Sequence, residues 1–160
     1  MTDRANVVSL RAKETSIQMS EESRRYVTMF VDRQMFGLPV LCVQDVLKKQ
    51  VVTHIPLSPP EVAGALNLRG RIVTVIDMRK RLGISEITDD SKTMKVVVDH
   101  QGEPYSLIVD AVGDVLNLSE GQFESTPPNL APAWASVADG VCRLEDKLMV
   151  VLDVKKLLQY

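Results

Sequence analysis

The run GALNLRGRIVTVIDMRKRLG, which extends from Gly64 to Gly83, contains the local pattern that decides the fold. Its NLRG segment, Asn67 to Gly70, lies between two apolar runs, and asparagine and glycine are typical residues of tight turns. The second apolar run ends at Asp77, where a short basic amphipathic segment begins. An aspartate at this position caps a helix by accepting hydrogen bonds from its first N–H groups, and the closing glycine suits the helix end. The run therefore predicts a strand, a turn, a strand and a helix, in that order.

A second copy of this unit occupies the C-terminal part of the chain. The run GVCRLEDKLMVVLDVKKLL has its own capping aspartate, Asp153, before a predicted C-terminal helix. The matched positions are Gly64, Leu68, Ile72, Val75, Ile76 and Asp77 in the first unit, and Gly140, Leu144, Leu148, Val151, Leu152 and Asp153 in the second. An earlier block repeats in the same way, with Phe36, Leu38, Val40, Val43, Asp45, Val46 and Leu47 recurring as Tyr105, Leu107, Val109, Val112, Asp114, Val115 and Leu116. This weak internal repeat predicts two related barrels.

Short β-rich runs separated by turn residues make up most of the chain from Tyr26 onward. They are YVTMFVD, FGLPVLCV, VVTHI, RIVTVID, MKVVVDH, YSLIVDAV and KLMVVLD. This spacing indicates an all-β protein. Residues 1–23 are polar with few large side chains, which predicts a flexible N-terminal tail. The folded domain is placed at 24–160, with one barrel at about 26–84 and the other at about 93–152, and an exchange of strands between them is left open.

Composition and motif content exclude several classes of function. The 160-residue chain has a formal net charge of −2, so no overall field attracts it to nucleic acid or anionic lipid. No stretch approaches the roughly 18 apolar residues of a membrane span, and we expect a soluble cytoplasmic protein. Cys42 and Cys142 are expected to be reduced thiols, and His54 and His100 lack metal-ligand spacing. Because no nucleophile with a base, paired-carboxylate site or phosphate-binding loop is present, we predict no catalytic residue, metal or cofactor.

A basic patch leaves one alternative function open. Its members are Arg69, Arg71, Arg79, Lys80 and Arg81. Small β-barrels that bind single-stranded nucleic acid combine such a patch with aromatic stacking platforms. Aromatic residues make up only 4% of this chain, and none lies between Phe36 and Tyr105. A solvated basic face is therefore favoured, and a single-stranded nucleic-acid-binding barrel is the alternative.

Arg69 is the member of the NLRG segment that a hairpin does not explain. In register with the repeat, Asn67–Arg71 faces Arg143–Lys147, so Glu145 occupies the position of Arg69. If Glu145 takes the same backbone role, the turn does not require an arginine. A guanidinium can hold a carboxylate or backbone carbonyls through two parallel hydrogen bonds. We therefore predict that Arg69 binds an acidic partner.

The run GALNLRGRIVTVIDMRKRLG resembles the signature region of the CheW family, the adaptors of bacterial chemotaxis signalling. The resemblance extends from about Tyr26 to Leu158 and includes FGLPVLCVQDVL, IPLSPPEVAGALNLRG, SLIVDAVGDVL and GVCRLEDKLMVVLDVKKLL. The same domain type occurs inside the CheA kinase and in CheV, but a chain of 160 residues has no room for a kinase or a receiver domain. The resemblance therefore favours the stand-alone adaptor.

The resemblance implies two intertwined five-stranded barrels of SH3-like or OB-like type, with a groove between them for the helical hairpin tip of a chemoreceptor. It implies a receptor-facing set formed by Val43, Asp45, Arg69, Met94 and Lys95. The family often has glutamate at the position of Asp45 and an aliphatic residue at that of Lys95. The second implied partner is the regulatory CheW-like domain of the CheA histidine kinase, bound barrel to barrel through residues that the sequence does not assign. The expected protein is a non-enzymatic adaptor, cytoplasmic and recruited to receptor arrays, that uses no cofactor and neither binds nucleic acid nor inserts into the membrane.

Overall fold

The computed structural model describes residues 25–48, 50–85 and 92–160, so the predicted N-terminal tail lies outside the described residues. The strands are β1 (Arg25–Val31), β2 (Gln34–Pro39), β3 (Val43–Leu47), β4 (Val62–Leu68), β5 (Arg71–Asp77), β6 (Met94–His100), β7 (Glu103–Val109), β8 (Ala111–Asn117), β9 (Phe123–Glu124), β10 (Ala138–Arg143) and β11 (Leu148–Leu152). The helices are the single turns α1 (Met78–Arg81), α2 (Pro132–Ala135) and α3 (Val154–Leu157). Two short 3-10 turns lie at Val40–Cys42 and Glu120–Gln122. The protein is mostly β, as the sequence predicts.

The strands form two sheets, each of which makes an SH3-like, barrel-like unit. The strand order is β3-β6-β7-β5-β4 in one sheet and β8-β1-β2-β11-β10-β9 in the other. We call these units the central barrel and the terminal barrel, after the place of their strands in the sequence. The terminal sheet has one strand more than the predicted five, because the short β9 adds to β10.

The two barrels are intertwined, which confirms the predicted fold class. β1 and β2 pair with β8 and β11 of the terminal barrel, although they come from the start of the described chain. β6 and β7 pair with β3 and β5 of the central barrel. The halves of the chain thus join through two antiparallel pairs, β1 with β8 and β3 with β6, and two parallel pairs, β2 with β11 and β7 with β5. Neither of the intervals 26–84 and 93–152 therefore forms a barrel by itself.

The largest apolar cluster contains residues of both barrels. Phe36 of β2 and Leu107 of β7 are fully buried in it, and Trp134 packs edge-on against Phe36 with 5.4 Å between ring centroids. Two smaller clusters each draw their residues from one sheet, around Met149 in the terminal barrel and Val75 in the central barrel. Because burial of apolar surface is the main stabilising term, each barrel depends on the other for much of its stability.

Two glycines of the internal repeat occupy matched bulges where another chain segment passes very close. A Cβ atom at Gly64 would lie 2.1 Å from the carbonyl oxygen of Thr53, and one at Gly140 would lie 2.8 Å from that of Glu124. Both positions follow a shift in strand register. The sequence predicted a strand over VVTHI, and this is wrong: the segment meets β4 at one isolated bridge, between Thr53 and Ala65. It then leaves the sheet for the proline-containing run that precedes β4.

The aspartates that close the two repeats have the same hydrogen bonds. Oδ1 of Asp77 accepts from the N–H groups two and three residues further on, at 3.0 and 3.4 Å, and Oδ1 of Asp153 does so at the same two distances. The N–H of Asp77 donates to Glu61 at 2.8 Å, and that of Asp153 donates to Val137 at 2.9 Å. Each aspartate is thus the N-cap of a short helix and is engaged in holding local structure.

Candidate partner-binding site

The five residues expected to face a receptor all lie on the central barrel. Val43 and Asp45 are on β3, Arg69 is in the turn between β4 and β5, and Met94 and Lys95 begin β6. β3 and β6 pair in antiparallel fashion, so the start of β6 lies beside the end of β3. The central barrel therefore supplies a common frame for the whole set.

The turn that carries Arg69 is a two-residue hairpin of type I′. Leu68 pairs with Arg71, and the two residues between them have positive φ, 52° at Arg69 and 84° at Gly70. Oδ1 of Asn67 accepts a hydrogen bond from the N–H of Gly70 at 2.9 Å. These contacts hold the turn and place the arginine at the tip of the hairpin.

The matching hairpin of the terminal barrel has a different turn. Four residues separate Arg143 from its pairing partner Leu148, and none of them has a positive φ. The expectation that Glu145 takes the same backbone role as Arg69 is therefore wrong. The N–H of Leu144 donates to the carbonyl of Lys147 at 2.9 Å, so Glu145 and Asp146 reverse the chain here without the left-handed backbone that a type I′ turn requires.

Arg69 and Asp45 form an ion pair with 3.1 Å between Nη2 and Oδ2. Oδ1 of Asp45 also accepts from the N–H of Val46 at 2.8 Å, which holds the carboxylate in place. The arginine side chain is 79% exposed and the aspartate side chain 29% exposed. An ion pair this open to water contributes about 0 to 1 kcal/mol to stability. Its main effect is to orient a guanidinium whose other N–H donors remain accessible.

The terminal barrel has no equivalent of this ion pair. In the internal repeat Glu145 matches Arg69 and Asp114 matches Asp45, so two acidic residues stand at the corresponding positions. The strands β8-β1-β2-β11-β10 repeat the order β3-β6-β7-β5-β4 without such a pair, so this arrangement of strands does not require it. Sequence reasoning did not predict that Arg69 and Asp45 would bind each other. The available signal was their opposite charge at two positions that the resemblance assigns to one surface.

The remaining members of the set are less exposed. Val43 and Met94 are half-buried and pack against the cluster that both barrels share. Lys95 is only 6% exposed, so its side chain is largely covered in the free protein. Of the five residues, the structure brings Arg69 and Asp45 into direct contact, whereas Val43 and Met94 pack against the shared core.

The basic patch is not one open surface. The Arg79 side chain is 14% exposed and is held by Asp110, with 2.6 Å between Nη2 and Oδ2. Arg81 donates to the carbonyls of Leu157 at 2.9 Å and Lys156 at 3.0 Å, at the end of α3. Because these arginines are engaged inside the protein, the alternative of a single-stranded nucleic-acid-binding barrel is not favoured.

Two further features of the described ranges bear on function. Within residues 25–48, 50–85 and 92–160, no cluster of His, Cys, Asp or Glu could hold a metal ion. In the same ranges no helix is long and apolar enough to cross a membrane. Cys42 and Cys142 are free thiols, and burial raises the pKa of both, with Asp153 and Asp99 adding to the rise at Cys42.

Two exchanged SH3-like barrels that share a core, with Arg69 held by Asp45 on the surface of one of them, define the class of protein: a double-barrel domain. Residues 25–160 match the family model of the CheW-like domain, and the chain belongs to this family of chemotaxis scaffolds.

Relatives and a solved structure support this membership. The chain is 26% identical over 153 residues to "Chemotaxis protein CheW" of Treponema pallidum, covering 93% of this chain and 90% of the relative. It is 30% identical over 130 residues to "Chemotaxis protein CheW" of Thermotoga maritima, covering 81% of this chain and 83% of the relative. The crystal structure of the scaffolding protein TtCheW from Thermoanaerobacter tengcongensis superposes with a TM-score of 0.78 at 28% identity, covering 86% of this chain and 94% of that one.

Proposed function

We propose that the protein is a non-enzymatic adaptor that couples methyl-accepting chemoreceptors to the histidine kinase CheA in signalling arrays at the cytoplasmic side of the membrane. The observation that carries the proposal is the ion pair of Arg69 with Asp45, which orients an exposed charge that the fold does not require. Because the chain belongs to the CheW-like family, the partners that we propose for this charged surface are proteins of the chemotaxis array.

The receptor partner is the helical hairpin tip of a chemoreceptor. A helix end has backbone carbonyls without partners inside the helix, and acidic side chains add further acceptors. The Arg69 guanidinium can donate two parallel hydrogen bonds to such a group while its Nη2 keeps the contact with Asp45. Val43 and Met94 would supply apolar contact beside it, and Lys95, being largely covered, would support the start of β6 from within.

The kinase partner is the regulatory CheW-like domain of CheA, bound barrel to barrel. Contacts of this kind that bury less than about 1,200 Å² in total give weak pairwise affinity. Stability of an array must then come from many sites engaged together, because each linked contact raises the effective concentration for the next one. We therefore expect cooperative assembly and no chemical step carried out by the adaptor itself.

The proposal is tested by calorimetric titration of the full chain with a chemoreceptor cytoplasmic fragment. Arg69→Ala should weaken binding by about 2 to 5 kcal/mol, as for a charge that is desolvated and hydrogen-bonded in the complex. The matched control is Arg143→Ala in the terminal barrel. Arg143 is 71% exposed and pairs with Glu124 at 3.2 Å, so it resembles Arg69 in exposure and chemistry but lies outside the proposed face.

Two outcomes would contradict the assignment of Arg69. One is unchanged receptor affinity in a folded Arg69→Ala protein, which would make it a rim arginine with an effect of about 0 to 1 kcal/mol. The other is an equal loss in Arg143→Ala, which would show a general charge effect. Circular dichroism of each variant establishes that it is folded before the titrations are compared.

A further inference from the structure

Asp110 lies where the chain crosses from one barrel to the other. It is the single residue between β7 of the central barrel and β8 of the terminal barrel. Its N–H donates to the carbonyl of Phe30 at 2.9 Å, and its Oδ2 accepts from the N–H of Asp32 at 2.8 Å. Phe30 and Asp32 belong to β1 and to the turn that follows it, so Asp110 is bound to the terminal barrel through both its backbone and its side chain.

Arg79 binds Asp110 from the side of the central barrel. Its Nε and Nη2 donate to the two carboxylate oxygens at 3.0 and 2.6 Å, and its Nη1 donates to the carbonyl of Ser85 at 2.6 Å. The two side chains are 14% and 22% exposed. Burial alone would raise the pKa of Asp110, but the hydrogen bond from Arg79, the N–H of Asp32 and the charge of Arg79 lower it below the usual value. The charged pair is therefore the stable form at neutral pH.

The other crossover between the barrels has no such pair. It runs through the 3-10 turn Val40–Cys42, from β2 of the terminal barrel to β3 of the central barrel. In the internal repeat Leu41 matches Asp110 and Lys155 matches Arg79. Leu41 is 71% exposed and Lys155 is exposed as well. The two crossovers between the barrels thus differ, because a partly buried ion pair joins the barrels at one of them and not at the other.

We propose that Arg79 and Asp110 clamp the two barrels together at the β7–β8 crossover and help to fix their relative arrangement, beside the hydrogen bonds that Arg81 donates to α3. A partly buried ion pair adds little net stability compared with apolar packing, but it can select one arrangement, because displacement separates the guanidinium from the carboxylate that it holds by two hydrogen bonds. The β2–β3 crossover, which lacks such a pair, leads directly into Val43 and Asp45. A receptor bound at β3 would then contact the barrels at the crossover without the clamp, and this consequence rests on the proposed function.

The clamp is tested without any partner, by measuring distances between spin labels on the full chain. Labels are attached at His54→Cys in the central barrel and Lys147→Cys in the terminal barrel, both exposed positions, in a background with Cys42→Ala and Cys142→Ala. Asp110→Asn keeps the shape of the side chain and removes the charge. It should broaden the distribution of inter-barrel distances or shift it. The control is Glu124→Gln, which breaks the exposed ion pair with Arg143 inside the terminal barrel and should leave the distribution unchanged.

A folded Asp110→Asn protein whose distance distribution superposes on that of the parent would overturn the clamp, as would equal broadening in Glu124→Gln. If Asp110→Asn does not fold, Arg79→Lys decides, because lysine keeps the charge but lacks the planar fork that donates two parallel hydrogen bonds. It should also broaden the distribution, and an unchanged distribution would refute the proposal. Since no receptor or kinase enters the measurement, its outcome is independent of the titrations that test the proposed function.

Discussion

The guanidinium of Arg69 lies 3.1 Å from the carboxylate of Asp45 and joins the tip of the β4–β5 hairpin to β3, which stands at the edge of the central sheet opposite β4. The contact thus links chain segments that are far apart in the order of strands. Arg69 and Asp45 both belong to the surface that is proposed to bind the receptor.

Residue 69 has a positive φ, so the stability of variants at this position should depend on how readily the new residue adopts a left-handed backbone conformation. Arg69→Asn creates the Asn-Gly pair that type I′ turns favour, so its free energy of unfolding should equal or exceed that of the parent. Arg69→Val should lower it by about 1 to 2 kcal/mol, because a left-handed conformation is costly for a β-branched residue. Urea denaturation measures both. Glu145→Asn is the control and should gain nothing from the same mechanism, since Glu145 does not have positive φ; a comparable gain there would contradict the explanation.

The close crossing at Gly64 should make this position far less tolerant than another glycine with positive φ. Gly64→Ala places a Cβ 2.1 Å from a backbone oxygen and should cost more than about 3 kcal/mol, the upper end for overpacking. Gly102→Ala has φ +80° but no atom within 4 Å of the added Cβ, so only the backbone cost of about 1 to 2 kcal/mol applies. Thermal or chemical unfolding compares the two variants. Equal losses of unfolding free energy in the two variants would show that the cost at Gly64 comes from its backbone conformation and not from the close approach of the Thr53 carbonyl.

The partly buried pair of Asp110 and Arg79 should make stability depend on pH at the acid end. Asp110→Asn should lower the free energy of unfolding at pH 7 by roughly 2 to 3 kcal/mol, less than for a fully buried pair because 22% of the Asp110 side chain is exposed. The pKa of Asp110 in the folded protein is lowered, so its contribution is complete above the unfolded value of about 3.9 and is lost as pH falls through the folded value.

The difference between the parent and Asp110→Asn should therefore shrink as unfolding is measured at successively lower pH. Glu124→Gln, in an exposed pair, should show a small difference at every pH. A gap between the parent and Asp110→Asn that stays constant through the acid range would argue against a charge-based role for Asp110.

The two capping aspartates should have nearly equal effects, because their hydrogen-bond distances match. Asp77→Ala and Asp153→Ala should each cost about 1 kcal/mol, and the corresponding asparagine variants should retain most of the stability. The exposed Asp139 provides a control, since Asp139→Ala should change stability by less than about 0.5 kcal/mol. A large difference between the stability losses of Asp77→Ala and Asp153→Ala would mean that matched geometry does not give the two caps matched energies.

Features that depend on neighbouring residues were predictable from the sequence. The NLRG hairpin follows from asparagine and glycine between two apolar runs, and the capping aspartates follow from their place between a strand and a basic segment. The repeat predicted two related barrels because matched side chains in matched order are found at related structural positions. In contrast, the strand expected at VVTHI does not form, since apolar β-branched residues indicate a strand only where a partner strand runs alongside them.

What the sequence alone determined is the set of hairpins, caps and apolar faces, because turn chemistry and side-chain alternation act over a few residues. The tertiary structure decided which strands share a barrel, because β2 with β11 and β7 with β5 are parallel pairs between distant segments. It also decided that Arg69 meets Asp45 and that Arg79 meets Asp110, since charge pairing depends on distances that no local pattern contains. The sequence shows the residue types directly, but which of them contact one another depends on how the two barrels exchange strands.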